Sequence, residues 1–215
     1  MSLELYFHPL ASYCWKVLIA LYENQTPFAP RLVDLGDPAS AAAFERLWPI
    51  RKFPVLHDLD RGQVVPESSI VIEYLDHHYP GSARLIPESA DAAREVRLWD
   101  RFYDCYVHDP MQRIVADRLR PADAKDPYGV EQAQAQLRKS YSILETQLAT
   151  RPWAAGAEFS LADCAAAPAL HYANRVAPLG ASHPHTRAYV QRLEARPSFA
   201  RVLREAEPYF QFFPG

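Results

Sequence analysis

Two stretches in the first third of the chain have the residue types and spacing to hold a small zwitterion. In Arg51-Lys52-Phe53-Pro54-Val55-Leu56, a proline stands where an apolar strand begins. Proline is tolerated in a sheet only at an edge, at a first residue or in a turn, often as the cis isomer. Read so, one backbone edge is left unpaired, and Val55 offers its N–H and C=O to an extended, peptide-like ligand as an added strand would. Further on, Glu67 and Ser68 open a run with helical spacing, Ile70, Ile72, Tyr74 and Leu75. The free N–H groups of a helix start attract a carboxylate, and Glu67 suits an ammonium, so the pair fits the end of a small amino-acid derivative.

Those stretches need a sheet and a helix to place them, and the surrounding pattern supplies both. Leu3, Leu5 and Phe7 alternate with Glu4 and Tyr6, a strand with one apolar face. Cys14, Val17, Leu18 and Leu21 then predict a helix from about Ser12 to Glu23. Leu32, Val33 and Leu35 predict a second strand, and Asp37-Pro38 starts a short helix to about Leu47. Val55–Leu59 and Gln63–Val65 flank the turn Asp60-Arg61-Gly62 as a hairpin, and the third helix begins near Glu67. The order βαβαββα requires a mixed sheet with helices packed on it.

Beyond Pro87 the pattern is helical throughout. The expected division is 1–80 for the α/β domain, 81–88 for a linker and 89–215 for an all-α domain. Val96, Trp99, Tyr103 and Tyr106 form an apolar stripe that Pro110 is expected to kink or break. Leu137, Tyr141, Leu144 and Leu148 repeat that geometry, and Ser160 with Asp163 forms a capping-box pair before a buried helix. Shorter helices are expected around Thr186–Ala195 and Ser198–Ala206.

At 215 residues the chain has ample length for a core, and a net charge of −3 with interspersed signs argues against nucleic acid or an anionic membrane as partner. No apolar run approaches the ~18 residues of a membrane span, and no basic-then-apolar leader opens the chain. Three cysteines without a C-x-x-C pair fit a reducing compartment, so a cytoplasmic location is expected. The eight histidines form no metal-ligand spacing, and no metal is expected.

K-F-P-V-L followed by P-E-S-S-I-V-I-E-Y-L-D, with F-S-L-A-D further on, resembles the glutathione S-transferase superfamily over nearly the whole chain. The resemblance implies a thioredoxin-like N-terminal domain that binds glutathione as co-substrate, and a helical domain that shapes a site for a small hydrophobic electrophile. It also implies a homodimer, with Arg97, Asp100 and Asp104 as candidates for its face. The glutathione-binding residues so implied are Lys52, Phe53, Pro54, Val55, Glu67 and Ser68, with Lys52 toward the glycine carboxylate. Leu10, Tyr103, Tyr106 and Phe210 are implied for the electrophile pocket. Phe210, Phe212 and Phe213 either fold back over that pocket or pack the domains together.

The implied reaction is attack by the glutathione thiolate. Lowering a thiol from a pKa of ~8.5 by about two units takes about 2.7 kcal/mol. A helix N-terminus supplies up to ~2 kcal/mol, and a hydrogen bond to a charged group roughly 1.5–3 kcal/mol. A donor at the start of the first helix therefore suffices. Ser12 resembles the serine of theta- and zeta-like members, though Ala11 is an alternative for that position. Tyr6 resembles the first-strand tyrosine of the alpha, mu and pi classes, Tyr13 offers a phenol, and Cys14 would form a mixed disulfide as in omega- and beta-like members. Each also has a plain role: Ser12 as a helix cap, Tyr6 as a strand residue, Cys14 as a small buried hydrophobe. A zeta-like maleylacetoacetate isomerase, a Cys14 thiol transferase and a non-catalytic scaffold are the alternative functions.

Overall fold

Alternation in Leu3–Phe7 (β1) turns Leu3 and Leu5 into the core, and the chain then enters α1, Ser12–Glu23. The computed structural model describes residues 2–214. β2 (Ala29–Leu32) lies parallel to β1, and β3 (Val55–Asp58) and β4 (Gln63–Pro66) follow antiparallel, giving the order β2-β1-β3-β4. With α2 (Pro38–Leu47) and α3 (Ser68–His78), this is the thioredoxin-like βαβαββα arrangement. Asp37 caps α2 by accepting from the Ser40 N–H at 2.8 Å.

Two strand readings need correction. The second strand runs over Ala29–Leu32 rather than Leu32–Leu35, because Pro30 is admissible on the outer edge, where no ladder donor is needed. Leu32 and Leu35 are exposed. β3 is an inner strand, with Val55 opposite Tyr6 on one side and Pro66 on the other.

From Ala90 the chain is helical: α4 (Ala90–Phe102), α5 (Asp109–Leu119), α6 (Pro127–Leu148), α7 (Leu161–Val176), α8 (Pro184–Glu194) and α9 (Pro197–Ala206). Pro110 does not break the long helix. A π-helical turn, Tyr103–His108, joins α4 to α5 directly, so the proline falls in the first turn of α5. Pro110 has no N–H to give the Tyr106 carbonyl four residues back. The buried Ser140 hydroxyl of α6 donates to that carbonyl instead, at 2.7 Å. The wider π turn also carries Val107, not Tyr106, onto the face of Trp99 and Tyr103. Val107 is fully buried, whereas Tyr106 is half exposed.

α1 is buried on nearly every side. Trp15, Val17, Leu18, Ile19 and Leu21 belong to one apolar cluster that runs without interruption from β1 into α7 and α9. At its far end, Glu23 accepts a bidentate pair from Arg196 at 2.7 and 2.6 Å and a bond from Ser198. At the head of α7, Asp163 accepts the Ser160 N–H at 2.9 Å, the Ala154 N–H at 2.9 Å and the Tyr189 hydroxyl, closing the capping box inside the core. A short 3₁₀ helix, Glu207–Phe212, ends the described fold.

Candidate functional site

The start of α1, the loop before β3, the start of α3 and the stretch from α4 into α5 converge on a cleft of about 720 Å³. The loop contributes Arg51, Lys52, Phe53 and cis-Pro54, and α3 contributes Glu67, Ser68 and Ser69. Arg51 and Glu67 have φ of 57° and 69°, the left-handed region that costs a non-glycine residue about 1–3 kcal/mol and persists only where surrounding structure enforces it. Both strained residues face the cleft. Glu67 is the N-cap of α3 without a side-chain cap bond, so its carboxylate is not spent on the helix.

The floor of the cleft is a buried charge network. Lys16 of α1, 1% exposed, lies 2.5 Å from Asp100 and 2.9 Å from Asp104, and its ammonium donates to Ser69 at 2.8 Å. Ser69 donates in turn to Asp100 at 2.9 Å, and Arg101 pairs with both carboxylates at 2.8 and 2.5 Å. Burial pushes the Asp104 carboxyl up, against the pull of Lys16 and Arg101. Taking such a network out of water is costly, and removing one member of a buried pair typically costs about 3–5 kcal/mol. It fixes α1, α3 and α4 relative to one another beneath the cleft.

Beside the cleft is a smaller apolar cavity of about 160 Å³, walled by Leu10, Met111, Val115, Tyr172, Phe212 and Phe213. Ser12, the first residue of α1, lines both spaces, and so does Gln112. The Ser12 hydroxyl touches Nε2 of His108, which the π turn delivers from the other domain. His108 is buried, and desolvation followed by the nearby Lys16 charge holds its pKa down at about 3, so the ring is neutral at physiological pH. Its ring packs against Tyr13 in a tilted arrangement, with centroids 4.0 Å apart. A polar cleft, a helix start with a hydroxyl and an apolar cavity thus meet at one point.

Residues 5–83 match the N-terminal domain of glutathione S-transferases, and residues 102–197 match their C-terminal domain. Glutathione S-transferase 3 of Zea mays is 32% identical over 209 residues, covering 94% of this chain and 93% of its own. The chain belongs to the glutathione S-transferase family. A probable maleylacetoacetate isomerase of Vibrio cholerae is 30% identical over 217 residues, covering 97% of this chain and 98% of the relative. The solved glutathione S-transferase of Methylobacillus flagellatus, with glutathione bound, superposes with a TM-score of 0.84 at 28% identity, over 93% of this chain and 98% of that one.

In this chain the structure brings Ser12, Tyr13, Lys52, Phe53, Pro54, Glu67 and Ser68 to the one cleft, and Leu10 to the adjoining cavity. Other residues singled out in the sequence lie elsewhere. Val55 is fully buried in the middle of the sheet and does not line the cleft. The Tyr6 hydroxyl donates to Glu4 at 3.0 Å and its ring stacks on Phe44, away from the start of α1. Cys14 is fully buried and burial pushes its thiol up, which removes the geometry a mixed disulfide needs. Tyr103 is sealed in the core and Tyr106 points outward, the consequence of the π turn. Phe210 packs on Trp15, His171 and Tyr172 under the Arg175 guanidinium, so Phe212 and Phe213 form the cavity wall in its place. Asp100 and Asp104 are buried in the cleft floor rather than presented on a dimer face, and Arg97 lines the cleft while pairing with Glu73 at 2.8 Å.

Sequence reasoning missed Lys16, His108 and Gln112. Lys16 carried a readable signal, since a lone cation inside the apolar run Cys14–Leu21 requires a buried partner. His108 and Gln112 carried none, because their placement depends on the π turn. Among the described residues no cluster of three or more His, Cys, Asp or Glu side chains could hold a metal ion. No described helix is long and apolar enough to cross a membrane.

Proposed function

We propose that this protein is a glutathione transferase that binds the tripeptide in the cleft and activates its thiol at the start of α1 for attack on a hydrophobic electrophile. The position of Ser12, at a helix N-terminus on the boundary between the polar cleft and the apolar cavity, carries the reading. A γ-glutamyl zwitterion suits Glu67 with the free N–H groups of α3, and Lys52 suits the glycine carboxylate. Because the Val55 ladder is taken on both sides, peptide pairing to the cysteine moiety passes to Phe53. Among the described residues no backbone hydrogen bond engages its N–H or C=O. The Ser12 hydroxyl and the helix dipole then favour thiolate over thiol.

The walls of the apolar cavity contain no charged side chain, which favours an aromatic or alkyl electrophile over the dicarboxylic substrate of a maleylacetoacetate isomerase. By likeness to the family we also assign a homodimer acting in the cytoplasm. Sedimentation is expected at twice the 24.4 kDa chain mass, and a monomer at micromolar concentration would remove that part of the assignment.

Ultraviolet difference absorbance of bound glutathione against pH tests the central claim. The bound thiol is expected to titrate about two units below free glutathione, and Ser12→Ala to return it by about one unit or more. Equal depression in both proteins would transfer the role to Tyr13 or to the helix start alone. Failure to bind glutathione would leave a non-catalytic scaffold as the better account.

A further inference from the structure

We infer that His108 is a positioning residue whose Nε2–H donates to the Ser12 hydroxyl oxygen, leaving the single serine proton free to point into the junction of cleft and cavity. The inference rests on the glutathione transferase reading and specifies how its donor is aimed. A serine hydroxyl has one proton and two lone pairs, and a neutral imidazole has one N–H and one bare nitrogen. Contact between Ser12 Oγ and His108 Nε2 therefore has two forms. In one, serine donates to a bare Nε2, the ring proton sits on Nδ1, and Ser12 has nothing left to give a sulfur. In the other, Nε2–H donates to serine and Nδ1 is bare.

The surroundings select the second form. Nδ1 is buried and has no hydrogen-bond partner among the described residues. An orphaned buried N–H is rarer in proteins than an under-satisfied acceptor, so the bare nitrogen belongs at Nδ1. The charge acting on the ring is that of Lys16, which opposes a second proton, and Asp104 is itself committed to Lys16 and Arg101. The Tyr13 ring packs against the imidazole at a tilt of 44°, with centroids 4.0 Å apart. His108 thus cannot serve as a general base for the thiol. It acts only through Ser12.

Two measurements decide the matter. In the free protein, long-range ¹H–¹⁵N correlation on ¹⁵N-histidine-labelled material, with the His108 signals assigned from their loss in His108→Gln, is expected to show the proton on Nε2 at neutral pH. A proton on Nδ1 overturns the inference without reference to glutathione. In the complex, His108→Leu is expected to raise the bound-thiol pKa by about one unit, a tenfold loss of thiolate at fixed pH below it. The amide donor of His108→Gln is expected to rescue the wild-type value. Ser12→Ala/His108→Leu should titrate with Ser12→Ala, because the histidine has no path to sulfur but the serine. If His108→Leu titrates as wild type while Ser12→Ala does not, the positioning role is refuted and the transferase reading stands. If wild type does not lower the thiol pKa at all, that reading falls, and the nitrogen assignment still decides which way the contact points.

Discussion

Holding an imidazole neutral inside the protein has a consequence for stability as well as for the site. His108 has a pKa of about 3 in the fold against an ordinary 6.5. Between those values the unfolded chain binds the proton that the native state refuses, so stability rises with pH across that window and falls as pH drops through it. From pH 6.5 to pH 5 this residue alone is expected to remove about 1.7 kcal/mol, because the slope reaches its full value of about 1.4 kcal/mol per unit only below the unfolded midpoint. Urea unfolding of wild type and His108→Leu at both pH values reads the difference, and the variant is expected to have the flatter acid limb. Equal acid sensitivity in the two proteins would show that the ring is not held neutral by its burial. Ser12, the partner of this ring, was legible as a helix start because Cys14, Val17 and Leu21 repeat locally behind it. Its contact with His108 was not, since 96 positions separate the two.

The elements that place these residues depend on a few bonds between them. Ser140 of α6 serves the Tyr106 carbonyl at the π turn, and removing its hydroxyl leaves a buried acceptor unmet. Ser140→Ala is therefore expected to destabilise the protein by about 1–3 kcal/mol in urea titration. A loss below ~0.5 kcal/mol would mean that backbone N–H groups of the wider turn already satisfy that oxygen. Elements governed by local period were readable: β1 by alternation, α2 by Asp37-Pro38, α7 by Ser160 and Asp163. The π turn was not, because its stabilising partner lies 34 residues away and helical spacing alone assigns Tyr106 to the wrong face. The electrophile pocket implied by the family resemblance at Tyr103 and Tyr106 is displaced for a related reason, since the turn seals Tyr103 in the core and leaves Tyr106 half exposed. The exposed edge strand was displaced for the converse reason: Pro30 looks like a breaker until the sheet shows that, among the described residues, no strand pairs outside it.

At the scale of the molecule, α1 belongs to both halves, and the Glu23 to Arg196 pair ties its end to α9. A core shared in this way should unfold as one unit. Calorimetry is expected to give a single transition with matching calorimetric and van't Hoff enthalpies; two separable transitions would show that the α1 contacts to α7 and α9 are dispensable to the sheet domain. The π turn sets how those halves meet. It is in effect a one-residue insertion between α4 and α5. Were the same six residues, 103–108, to wind as an ordinary helix at unchanged length, everything from Asp109 onward would turn by about 100° relative to α4. His108 would leave Ser12, and the cavity walls at Met111 and Val115 would rotate away from the cleft together. The winding of this one segment is therefore the phase setting of the site: a substitution that tightens it at constant length would misalign Ser12, His108 and the cavity walls without touching any of them.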